Sequence, residues 1–338
     1  MTRQVVGIAG VGSYLPDRKV DAWEAVRGSG ISREKFESIG VREIHLAAEG
    51  EMPSSMSVEA GRRALVDAGM EAGEIDLIIY CGAQKDHSRW QASNKVQAEL
   101  EAFNGYAFDL DQSSGGQNLA LSVAASMIED DPSVDTVLIT SAERWDTSLE
   151  QPVLGHSFIF GDGASAAVLK RDHEEYELLA WAHETRGEHH HAICIPDVGA
   201  GVKLTPEVFE RGGHLLQFYG PLHGNREEAR AFVQEFNRIG AGNFRTAAER
   251  ANVGLDDIDF VVTVNSSRRH IRKFLEGLGL DAERSSVNLV SETGLLGSAD
   301  VFYNLDQARR RGWVKKGDLV ALCSVAGGYS WGTTLLRA

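Results

Sequence analysis

A chain of 338 residues exceeds one ordinary domain and predicts two domains, or two fused halves, around a large shared core. Its 43% hydrophobic and 25% charged residues are the composition of a soluble globular protein, which excludes a disordered chain. With 34 basic and 49 acidic residues the formal charge is −15, a field that repels phosphate backbones and anionic lipid, so neither nucleic acid nor a membrane is an expected partner.

The opening MTRQVVGIAGVGSYLP is too glycine-rich, and too soon broken by Pro16, to read as a secretory leader. Cys81, Cys194 and Cys323 are widely spaced in apolar strand-like runs, which predicts buried free thiols and a reducing cytoplasm. In chain order, β-type runs alternate with helical stretches. VVGIAGVGSYL precedes a helix near 57–69, then IDLIIYCG a helix near 91–102, then YAFDL the helix through LALSVAASMI, and TVLITSA follows. Such alternation predicts an α/β fold with crossover helices.

The second half repeats the plan. RRALVDAGMEAGEIDLIIYC resembles RTAAERANVGLDDIDFVVTV, and TVLITSA resembles LVALCSV. SFIFGDGASAAVLK and VAGGYSWGTTLLR both read as apolar hairpins with glycine in the turn. Two copies of one unit predict two similar halves about a pseudo-twofold axis, 1–172 and 173–338, joined at the charged stretch RDHEEY.

At FDLDQSSGGQNLAL an extended run turns into a helix at Ser114. A helix start gathers free backbone N–H groups in one small space, which suits a nucleophile. It equally suits a capping serine whose oxygen satisfies an orphan donor. Residues alone leave both readings open.

Taken together, IAGVGSYLP, SIGVREIHLA, FDLDQSSGG, FGDGASAAVL and GGYSWGTTL resemble the thiolase fold, and within it the type III ketoacyl synthases that start fatty-acid and polyketide chains. The resemblance covers essentially the whole chain. It implies a nucleophilic cysteine at the position of Ser114, a histidine at Val264 and an asparagine at Leu295, so all three catalytic positions have changed. Serine is a weak nucleophile without an adjacent base, and the missing pair would have stabilised an enolate. Decarboxylative condensation is therefore not expected, whereas the N–H groups of Ser114 and Gly327 would still hold the oxyanion of an acyl transfer.

Where family members clamp the adenine of coenzyme A between tryptophan and arginine, this chain has Glu34 and Leu154. By resemblance, SSRRHIRKF is the segment that docks acyl carrier protein, and it concentrates Arg268, Arg269, Arg272 and Lys273 in an acidic protein. A solvated helix face is the alternative. The resemblance also implies a homodimer, with HSRWQASN at 87–94 in the dimer loop.

A replacement for the missing base is sought among the histidines. GEHHHAICIP on a strand would turn His189 and His191 to one face and His190 to the other, beside the acyl pocket. His190 is the first candidate, with His156 and His223 as others. No third or fourth ligand accompanies the pair, so no metal is expected. No cofactor is expected beyond the donor thioester. The favoured function is an acyltransferase of specialised metabolism that uses Ser114 and an oxygen or nitrogen acceptor. A silent subunit that binds acyl carriers or a partner synthase is the alternative, and a condensing enzyme with rearranged residues ranks last.

Overall fold

Five strands form the first sheet unit: β1 (Val6–Tyr14), β2 (Leu77–Tyr80), β3 (Tyr106–Asp109), β4 (Thr136–Glu143) and β5 (Gly163–Arg171). The computed structural model, which describes residues 4–155, 157–219 and 226–338, orders them β3-β2-β4-β5-β1. β2 runs parallel to β3 and β4, while β5 is antiparallel to both of its neighbours. β2 and β4 are buried along their whole length, as strands covered by helices on both faces must be.

A second unit repeats this order. β6 (Glu177–Thr185), β7 (Phe260–Thr263), β8 (Leu319–Ala326) and β9 (Ser330–Arg337) lie as β7-β8-β9-β6, with β7 parallel to β8 and β9 antiparallel on both sides. Outside β7, at the place β3 takes in the first unit, only Ser285 pairs, by a single parallel bridge to Val261. Gly7 opposite Glu177 joins the units into nine strands. This is the thiolase-like α/β fold of two similar halves.

Helices α1 (Arg33–Ile39), α2 (Pro53–Ala68), α3 (Ala92–Leu100), α4 (Gly116–Asp130), α5 (Arg226–Ala251), α6 (Arg268–Leu278) and α7 (Asp300–Arg310) complete the frame used below. The glycines of IAGVGSY have a packing reason: any side chain on Gly10 or Gly12 would collide with the backbone of Ala60, Ala64 and Ala68, so α2 lies directly on β1. α4 ties the halves together. Its Gln117 donates to Ser141 and Ser165 of the first unit, and its Asn118 donates to Ser324 of the second.

Two local expectations change. FIFGDGAS is not a hairpin: Phe158–Ile159 pairs with Val153–Leu154, and β5 starts separately at Gly163. Cys81 and Cys323 are buried free thiols, but Cys194 is only half-buried. Among the described residues no helix is long and apolar enough to cross a membrane, and no cluster of three or more His, Cys, Asp or Glu is placed to hold a metal.

Candidate active site

The junction between β3 and α4 is a single turn of 3₁₀ helix, Ser113–Gly115, with Gly116 opening α4. Gly116 is required there because a Cβ at this position would stand 2.4 Å from the carbonyl oxygen of Cys81. Ser113 takes a left-handed backbone (φ 49°), and its N–H donates to Asp111 Oδ1 at 3.2 Å. No side chain caps either helical segment, so the capping reading of Ser114 fails. Its half-buried hydroxyl has no hydrogen-bond partner among the described residues.

From the second half, the turn 327–329 between β8 and β9 reaches this site. A side chain on Gly327 would stand 3.6 Å from Ser113 Oγ and from Ile193 Cβ. Gly328 and Tyr329, not Gly327, carry the left-handed angles that close the turn. The backbone N–H groups of Ser114 and Gly327 have no partners among the described residues. One donor from each half, unpaired among the described residues, thus flanks the Ser113–Gly115 turn, an arrangement able to hold an oxyanion.

The positions implied for histidine and asparagine are apolar and closed. Val264 and Leu295 are 7% and 8% exposed and join a cluster with Trp145, Leu149, Leu154 and Phe160. A buried carboxylate anchors both loops: Asp300 Oδ2 accepts the N–H of Asn265 at 3.0 Å, and Oδ1 accepts that of Leu296 at 3.1 Å. Burial pushes this carboxyl well above the usual carboxylate range. Asn265 itself is consumed by Thr293 and Asn304.

A second buried carboxylate, Glu143 at the end of β4, accepts the N–H groups of Ala83 and Gln84 at 2.9 and 3.1 Å and the Ser298 hydroxyl at 2.5 Å. Burial raises it to about 7 despite these donors. The turn Gly297–Ala299 that it holds packs against the Ser113–Gly115 turn.

Residues 108–187 match the 3-oxoacyl-acyl-carrier-protein synthase III family, and residues 248–338 match its C-terminal region. The β-ketoacyl-acyl-carrier-protein synthase III of Rhizorhabdus wittichii is 33% identical over 340 residues, and that of Ruegeria sp. strain TM1040 is 30% identical over 340, each match spanning 100% of both chains. The chain belongs to the 3-oxoacyl-acyl-carrier-protein synthase III family. The synthase III of Aquifex aeolicus superposes with a TM-score of 0.82 at 24% identity, over 98% of this chain and 100% of that one. The acyltransferase ChlB3 superposes with a TM-score of 0.84 at 22% identity, over 99% of this chain and 98% of that one, and these two likenesses carry the fold.

Within this synthase III fold the histidine triplet is not on a strand. Residues 187–189 form a 3₁₀ turn, with the N–H groups of His189 and His190 bonded back to Arg186 and Gly187, and extended pairing resumes only at Ile193. His190 and His191 are exposed with their rings 3.7 Å apart, while His189 packs edge-on against Phe232 and Tyr329. None of the three bonds to Ser114. His156 and His223 lie outside the described residues.

The basic segment splits by face. α6 is capped by Ser267, whose hydroxyl accepts the N–H of His270. Arg268 donates to Asn288 at 2.7 Å with its stem against Gly40, and Arg272 pairs with Glu283 at 2.6 Å. Arg269 and Lys273, also four residues apart, line a cavity of about 550 Å³ with Lys35 of α1 and Arg230 of α5. No carboxylate lines it, so four cations face one space. Of the four cations of the segment, Arg269 and Lys273 thus face this cavity, where Lys35 and Arg230, unnoticed in the sequence, join them. Glu34 is exposed on α1, whereas Leu154 is buried in the main core and unavailable to a nucleotide.

Proposed function

We propose that this member of the synthase III family moves an acyl group from a carrier-protein thioester through Ser114 to an oxygen or nitrogen acceptor, and forms no carbon–carbon bond. The observation that carries this reading is the Ser114 hydroxyl, which caps nothing, on a turn that Gly327 approaches and where the N–H groups of Ser114 and Gly327 have no partners among the described residues. The halves 1–172 and 173–338 contribute one of these donors each. Ser114 Oγ attacks the thioester carbonyl, the carbon–sulfur bond breaks, and the thiol leaves with the serine proton. The oxyanion that forms on the way is held by the N–H pair. The acceptor then takes the acyl group by the reverse geometry. Val264 and Leu295 offer no donor to an enolate, which favours transfer over condensation.

A donor carried by acyl carrier protein fits the cationic cavity beside α6, because carrier proteins present a phosphate-bearing arm. No further cofactor is required. We place the protein in the cytoplasm, in specialised metabolism, as a homodimer paired through the exposed edge of β3. The base is sought in His190, His156 or His223.

A second reading is favoured by one observation: no imidazole or carboxylate bonds to Ser114 among the described residues. On that reading the chain is a non-catalytic subunit that binds acyl carriers or a partner synthase. Intact-mass measurement after incubation with a panel of acyl carrier proteins separates the two. A mass increase equal to the acyl group supports transfer. Binding without any increase supports the subunit.

A further inference from the structure

We infer that the indole N–H of Trp145 is a hydrogen-bond donor to the acyl chain, so that the acyl group carries an oxygen on its second or third carbon. This inference rests on the proposed acyl transfer at Ser114 and deepens it. Trp145 is 7% exposed, and its Nε1 is enclosed with no hydrogen-bond partner among the described residues. A buried donor left unpaired is costly and rare in a native protein, and it marks a place where something else supplies the acceptor.

The indole is fixed. Its backbone N–H donates to Asp162 Oδ1 at 2.9 Å, and its ring lies 4.5 Å from that of Phe160. Its orientation follows from Gly297, where a Cβ would come within 2.8 Å of Trp145 Cζ2. Cζ2 and Nε1 share one edge of the indole, so the N–H edge borders the Gly297–Ala299 turn. That turn packs on Ser113–Gly115. The donor therefore borders the turn that in turn packs on Ser113–Gly115, in a cluster whose other buried side chains, Val264 and Leu295 among them, carry no oxygen or nitrogen. Trp331, which also has an unpaired buried Nε1, abuts Gly240 of α5 instead.

The thioester carbonyl oxygen is already claimed by the N–H groups of Ser114 and Gly327. A third donor nearby needs a second acceptor on the same short stretch of chain. A hydroxyl or keto oxygen one or two carbons beyond the carbonyl meets that need, whereas a plain alkanoyl chain leaves the indole N–H unpaired. Sites built to bond a substrate oxygen reject the analogue that lacks it.

The test uses ligands that cannot transfer their acyl group: the pantetheine amides of butyric, 2-hydroxybutyric and 3-hydroxybutyric acids, with binding measured by calorimetry on the full chain. The expected result is that one hydroxylated amide binds about tenfold tighter than the butyryl amide. In Trp145→Phe the ratio of hydroxybutyryl to butyryl binding should fall to about one. Equal binding of all three by the wild type overturns the inference, as does no binding of any, or a preference that survives in Trp145→Phe. The wild-type comparison decides even if the variant does not fold. Because no acyl transfer is involved, a protein that shows the preference yet never becomes acylated refutes the transfer reading and leaves this one standing.

Discussion

Asn265 donates its backbone N–H to the buried carboxylate of Asp300 at 3.0 Å, and this bond fixes the loop that carries Val264. The other oxygen of Asp300 fixes the loop bearing Leu295. One side chain thus anchors both loops. In Asp300→Asn an amide NH₂ would face one of these N–H donors, and the variant should lose about 1–3 kcal/mol of stability. A lower urea midpoint with an unchanged slope is the expected signature.

Glu143 makes stability depend on pH with a definite sign. Its carboxyl is raised to about 7 in the folded chain, above the ordinary value of 4.5 that it regains on unfolding. The folded state therefore holds the proton more tightly. The associated stability is complete below pH 4.5 and lost as pH rises to about 7, a change on the order of 3 kcal/mol. Burial is what raises it, against the hydrogen bonds from Ser298, Ala83 and Gln84 that favour the charged form. Unfolding measured from pH 4.5 to 7.5 should show this decline in the wild type and not in Glu143→Gln. Parallel pH profiles for the two proteins would refute the assignment.

These two carboxylates also mark where sequence reasoning stops. The repeat of an Ile-Asp pair before a buried strand, and the glycines that let α2 rest on β1, leave local signatures, so the paired halves are legible in the sequence. Asp300 and Glu143 leave none. A lone acid in TGLLGSAD or TSAERW reads as a surface residue, and only the tertiary fold supplies the N–H groups that hold it inside. The triplet GEHHH failed for a different reason: strand alternation was assumed where short-range N–H bonds to Arg186 and Gly187 close a turn. The two faces of α6 were readable in principle, since residues four apart share a side, but which side met Glu283 was not.

Charge reversal should separate those faces. Arg269→Glu with Lys273→Glu should weaken binding of acyl carrier protein at least tenfold at low salt. The difference should shrink as salt rises, because the screening length is about 10 Å at 0.1 M. Reversal of Arg268 and Arg272 breaks contacts to Asn288 and Glu283 and should cost mainly stability. Equal loss of binding from both pairs would return the whole segment to a single undirected charge patch.

β3 is the outer strand of the first unit, and Phe103 and Tyr106 beside it are exposed. An unpaired edge with aromatic side chains invites a second strand. Light scattering at micromolar concentration should give the mass of a dimer, and Phe103→Lys with Tyr106→Lys should shift it to a monomer. A wild-type monomer would remove the proposed twofold interface.

Two serines stand at the nucleophile turn, and they can be told apart. Ser113 holds the left-handed backbone and faces Gly327, while Ser114, the proposed nucleophile, has its hydroxyl unpartnered among the described residues. In Ser114→Ala, acyl labelling by a carrier-bound thioester should disappear with a stability change under about 0.5 kcal/mol, because no cap is lost. Ser113→Ala should still label, though more slowly, since the turn that aims its neighbour is loosened. Labelling that persists in Ser114→Ala and vanishes in Ser113→Ala would transfer the nucleophile to Ser113. The base follows from the same assay: a histidine that accepts the Ser114 proton should, when changed to alanine, slow labelling at least tenfold. Should His190, His156 and His223 each be dispensable, the proton leaves to water or to the departing thiolate. The slow transfer that results would then be limited by Ser114 itself.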